Sequence, residues 1–105
     1  MARVLIADDS AAFRALAARV LEEQGHQVAG EAASGAETLR LAAALTPDGV
    51  LLDVHLGADD GFAVRRALAE LPSAPQVVLV STDPGTGALP KERLATADFF
   101  GALLV

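Results

Sequence analysis

Val50-Leu51-Leu52-Asp53-Val54-His55-Leu56 is an apolar run with a carboxylate set at its middle. Pro47-Asp48-Gly49 bounds it on one side and Gly57 on the other. A run of this length between turn formers reads as a strand buried on both faces, over about 50–54. A lone carboxylate is costly to bury, so Asp53 belongs where the strand leaves the sheet, at its mouth. Taken alone, a strand-end Asp is commonly a turn or helix-cap residue. The rest of the chain has to decide.

Two runs of similar character stand on either side. Arg3–Ala7 ends in Asp8-Asp9-Ser10, and Gln76–Ser81 is led in by Pro75. Between them the period changes. Phe13, Leu16, Ala17, Val20 and Leu21 recur at helical spacing, with Arg14, Arg19, Glu22 and Glu23 off that face. This is an amphipathic helix capped by Asp9 or Ser10 and stopped by Gly25. A short strand is expected around Gln27–Ala32. Ser34-Gly35-Ala36-Glu37 is a capping box that opens a helix to about Leu45, where Thr46-Pro47-Asp48 breaks it. Gly57-Ala58-Asp59-Asp60-Gly61 reads as a flexible acidic loop, and 62–71 as a third helix ended by Pro72. Beyond Ser81 the expectations are a long polar loop over 82–87, a poorly patterned fourth helix over 89–95, and a fifth strand over 99–105.

Five strands alternating with four helices give a parallel sheet covered on both faces. The expected architecture is the flavodoxin-like, doubly wound α/β sheet with strand order 2-1-3-4-5. Ligands of such sheets bind beyond the carboxyl ends of the strands at the switch point, here between the first and third strands. Asp8, Asp9 and Asp53 would converge there. Like charges in one crevice call for a cation or raised pKa values. Carboxylates and a backbone carbonyl are hard donors that suit Mg²⁺ or Mn²⁺. Asp9 and Asp53, with Asp8 and the carbonyl of His55, could hold one. A carboxylate can also attack phosphorus to form an aspartyl phosphate, with a hydroxyl at Ser81 donating to a phosphoryl oxygen.

The 105 residues suffice for one domain, 1–105, with a real core, and just over half of them are hydrophobic. A formal net charge of −6 disfavours nucleic-acid binding. The absence of cysteine excludes disulfides, thiolate metal sites and a cysteine nucleophile. No apolar run approaches the roughly 18 residues of a membrane span, and the N-terminus does not resemble a signal peptide. A cytoplasmic location is expected.

Val4-Leu5-Ile6-Ala7-Asp8-Asp9-Ser10, Leu51-Leu52-Asp53-Val54-His55-Leu56 with Asp60-Gly61, and Val77-Val78-Leu79-Val80-Ser81 come in a fixed order. In this the chain resembles the receiver domains of two-component response regulators over essentially its whole length. The resemblance implies that Asp53 is the phosphoacceptor, Asp8 and Asp9 the acid pair for Mg²⁺, and Ser81 the switch hydroxyl. It implies a sensor histidine kinase or phosphotransfer protein as partner, and no enzymatic activity beyond self-phosphorylation and self-dephosphorylation at Asp53. Phe100 falls at the place of the family's switch aromatic, and it also suits a plain core position.

Departures from the family pattern stand beside the match. The family's Lys at the end of the fifth strand would fall at about Leu103, where nothing is basic. The one lysine, Lys91, reads as an exposed surface residue on or before the fourth helix. Gly57 stands where a Pro is usual, which should loosen that loop. A fifth helix is expected to be absent, leaving apolar residues of the first and fifth strands for a partner or a second copy to cover, as in a homodimer. These departures support an alternative, a degenerate or truncated receiver that acts as a phosphorylation-independent interaction module. Of the remaining signals, His26 reads as a solvent-exposed turn residue and His55 as a loop residue whose ring could border the crevice. Gly85-Thr86-Gly87 lacks the rest of a phosphate-binding fingerprint. A phosphohydrolase of the haloacid-dehalogenase type would want a second Asp where His55 stands.

Overall fold

Successive residues of the first strand, β1 (Arg3–Ala7), belong to opposite cores. In the computed structural model, which describes residues 1–101, Val4 and Ile6 pack with Ala17, Leu21, Leu94 and Phe100. Leu5 and Ala7 pack on the other side with Ala42, Leu52, Val64 and Leu68. That split is what a strand covered on both faces requires, because its side chains alternate. β3 (Gly49–Asp53) divides the same way, Leu51 to the first core, Val50 and Leu52 to the second. Each fully buried Leu or Ile contributes about 1.5–3 kcal/mol relative to exposure.

The first core lies under α1 (Ala11–Glu23), and the second under α2 (Gly35–Leu45) and α3 (Gly61–Ala69). β2 (Gln27–Ala32), β6 (Gln76–Ser81) and β7 (Leu89–Pro90) complete a five-stranded sheet in the order β2-β1-β3-β6-β7, parallel throughout. Counted within the sheet this is the expected order 2-1-3-4-5. β4 (His55–Leu56) and β5 (Asp59–Asp60) form a separate antiparallel hairpin.

Local chemistry sets the ends. Ser10 Oγ accepts from Phe13 N at 3.2 Å and starts α1, and Gly25, at φ 89, turns the chain after it. Ser34 Oγ accepts from Glu37 N, while Glu37 reaches back to Ala33 N, one residue earlier than in the usual box. Thr46 closes α2 in the left-handed region at φ 44.

Three expectations fail, while the polar loop expected over 82–87 is present. The fifth strand of the sheet is Leu89–Pro90; of the span 99–105 expected for it, residues 99–101 lie in turns and 102–105, Leu103 among them, fall outside the described residues. The expected fourth helix over 89–95 is instead that strand followed by a 3₁₀ helix, Lys91–Thr96. Between β6 and β7 there is no α-helix, only 82–88 with one 3₁₀ turn, Pro84–Thr86. Pro84, Gly85 and Gly87 leave too few helix formers in too short a space. The first-core face of β1 is therefore not bare: Val4 and Ile6 are fully buried beneath α1, Leu94 and Phe100.

The acidic loop is not loose either. Gly57, at φ 62, turns the β4–β5 hairpin. Asp59 Oδ2 accepts from Gly35 N at 2.8 Å, and Asp60 caps α3 through Phe62 N at 2.9 Å. His26, expected in solvent, is buried. Its Nδ1 accepts from Ala2 N at 3.0 Å, and its Nε2 lies 2.7 Å from Asp98 Oδ1, with Phe100 edge-on to the ring. Segments 24 and 72 positions away meet this ring, so no local pattern could have exposed the contact. Among the described residues no helix is long and apolar enough to cross a membrane.

Candidate functional site

Period two brings the carboxylates together. Asp8 continues the Val4–Ile6 row of β1, and Asp53 continues the Leu51 row of β3, on the same side of adjacent parallel strands. Asp9 follows on the exposed rim. One oxygen from each of Asp8, Asp9 and Asp53 lies within 4.8 Å of the others. Asp8 is fully buried and Asp53 is 5% exposed.

The two buried acids are pinned by their neighbours. Asp8 Oδ1 accepts from Ser10 N at 2.8 Å, and the Asp8 carbonyl accepts from Arg14 Nη1 at 2.7 Å. Asp53 Oδ1 accepts from His55 N at 3.2 Å. The start of α3 lies against the same strand end: Gly61 N donates to the Val54 carbonyl at 2.7 Å. A Cβ on Gly61 would press on the Asp53 carbonyl and stand 2.8 Å from Val54 Cα, so the close approach requires glycine.

The residue that the sequence reading missed is Lys91. It is not an exposed surface lysine. Its Nζ lies 2.7 Å from Asp8 Oδ2 and 3.4 Å from Asp53 Oδ2, and its side chain is only 15% exposed. The Lys91 ammonium is the one partner of the buried Asp8 Oδ2 among the described residues. Lys91 follows the last residue of β7, at the end of the fifth strand of the sheet. Counting from Ser81 with a helical crossover in between overshoots it. The available signal was the chain's single lysine, directly after Leu89-Pro90, with 82–88 too short and too rich in Pro and Gly for a helix.

Burial holds the Asp53 carboxyl above the ordinary carboxylate range, and the Asp8 charge adds to that; Lys91 and the His55 amide pull against it. For Lys91, burial disfavours the ammonium, but Asp8 and then Asp53 outweigh it and the pKa is raised. The crevice carries more negative than positive charge. With three hard carboxylate donors within 4.8 Å of one another and one ammonium between two of them, these residues fit a small divalent cation such as Mg²⁺.

The other expected site residues divide. Ser81 is buried one position beyond Val80, the register partner of Asp53, and its Oγ accepts from Asp83 N at 2.9 Å. His55 is exposed, on the hairpin that follows Asp53. Phe100 is fully buried in the first core against His26 and lies on no strand.

The family model described as the response regulator receiver domain matches residues 4–95. A protein-glutamate methylesterase/protein-glutamine glutaminase of Hahella chejuensis is 42% identical over 83 residues, 78% of this chain and 24% of that protein. The chain spans about a quarter of the length of that relative and of similar methylesterases. Protein PilH of Pseudomonas aeruginosa is 33% identical over 94% of this chain and 84% of its own. The signal receiver domain of the putative response regulator NarL from Mycobacterium tuberculosis superposes with a TM-score of 0.73 at 32% identity, covering 90% of each chain.

Proposed function

This chain belongs to the response regulator receiver domain family, and from that premise we propose that it accepts a phosphoryl group on Asp53 from a phosphohistidine of a sensor histidine kinase or phosphotransfer protein. An Asp53 carboxylate oxygen attacks phosphorus as the P–N bond to the donor imidazole breaks, and the bonding pair leaves on the imidazole nitrogen. Asp8, Asp9 and Asp53, with the carbonyl of His55, would hold Mg²⁺ or Mn²⁺ beside the acceptor. When bound, such an ion offsets charge on the phosphoryl oxygens. The Lys91 ammonium, 3.4 Å from Asp53 in the unmodified chain, is placed to pair with one of those oxygens. The Ser81 hydroxyl would turn from the Asp83 amide to donate to another. Hydrolysis of the acyl phosphate at the same residue would end the signal.

The observation that carries this reading is the meeting of three carboxylates with the single lysine at one sheet edge. It also removes the main support for a phosphorylation-independent module, which was the want of a basic residue at the end of the fifth strand. Val4 and Ile6 of β1, part of the face whose exposure suggested a homodimer, are buried beneath α1, Leu94 and Phe100.

Intact-mass measurement after incubation with a small acyl phosphate and Mg²⁺ tests the reading. The wild type should gain one phosphoryl group, and Asp53→Asn should gain none. A folded wild type that gains nothing would overturn it.

A further inference from the structure

Lys91 is gripped from a third side. Its Nζ stands 4.4 Å from the centroid of the Phe13 ring, over the ring face. Phe13 lies in the first turn of α1, half-buried and packed against the core of Val4, Ile6 and Phe100. Its amide is capped by Ser10 Oγ, and the Ser10 amide in turn donates to Asp8 Oδ1. One short turn therefore orders both the buried carboxylate and the aromatic face that meet the same ammonium.

That grip answers a need. Lys91 follows a strand of two residues at the sheet edge, and its long flexible stem loses rotamer freedom when held. Two carboxylates alone allow the ammonium several positions between them. A ring face whose negative quadrupole attracts cations narrows the choice and excludes water from that side.

We infer that Phe13 is a positioning residue for Lys91: its ring face holds the ammonium where it reaches Asp8 and Asp53 together. The consequence for phosphoryl uptake rests on the reading of Asp53 as acceptor; the contact itself does not.

Since the chain has one lysine, its ε-methylene resonances are assignable without ambiguity. In the wild type they should be shifted upfield by the ring. Phe13→Leu should return them to ordinary values, while Phe13→Trp should keep the shift. With a small acyl phosphate and Mg²⁺, Phe13→Leu should slow phosphoryl uptake about fivefold, and Phe13→Trp should recover most of the rate. In a Lys91→Met background, Phe13→Leu should change the rate by less than about twofold. Unshifted Lys91 resonances in the wild type would overturn the inference. So would an equal fall in rate with and without Lys91, because Phe13 would then act through packing alone. A wild type that takes up no phosphoryl group would refute the Asp53 reading, and the resonances alone would then judge Phe13.

Discussion

Asp8 and Asp53 stand at the ends of five-residue strands, each hydrogen-bonded to a strand on both sides. Lys91 follows a two-residue strand paired on one side only among the described residues, reached through 82–88 without an α-helix. The acids are fixed by the backbone of the sheet centre, whereas the base is fixed largely by what its side chain touches. Substitutions near the acids should therefore read out as lost folding. Those around the base should cost less stability and disturb the site, and those in the connecting strap should cost least.

Gly61→Ala should have the largest effect. Its methyl would run into the backbone of Asp53 and Val54, neither of which can yield without moving β3. A loss of about 3 kcal/mol is expected from such overpacking, read by urea unfolding. A loss under about 1 kcal/mol would mean the strand end is softer than its double pairing implies. Lys91→Met should come second. It leaves the buried Asp8 and Asp53 carboxylates facing each other without their counter-charge. About 2 kcal/mol is expected in metal-free buffer, below the range for a fully buried pair because Lys91 keeps 15% of its side-chain surface in solvent. Adding Mg²⁺ should return part of that stability, and thermal melts with and without the ion would show it. Gly87→Ala, in the strap, should cost least. Its φ of 77 is strained for alanine, but a Cβ there meets nothing within 4 Å. About 1 kcal/mol is expected. If it proved worse than Gly61→Ala, the contrast between centre and strap would be reversed.

The same contrast governs what could be read in the sequence. The strands carrying Asp8, Asp53 and Ser81 are apolar runs bounded by turn formers, and the helices between them carry periodic faces or capping residues. The three carboxylates and the serine could therefore be placed by counting. Beyond Ser81 there is no period to follow: a strand of two residues has none, and a six-residue 3₁₀ helix has barely two turns. A count that assumed a helical crossover then placed the basic residue at Leu103, when Lys91 was already there. The failures at Lys91 and His26 have one cause. Both are buried by partners distant in sequence, Asp8 and Asp53 for one, Ala2 and Asp98 for the other.

The short strap also bears on the order in which the site is assembled. Pairing Val80 with Leu89 closes a loop of 9 positions, while pairing Val4 with Gly49 closes one of 45. In a flexible chain the shorter closure is cheaper in entropy by about 1.4 kcal/mol. The strand that leads into the lysine can thus attach to β6 as a nearly local event. The meeting of Asp8 with Asp53 must await the long-range pairing of β1 with β3, which is expected to be the slower step.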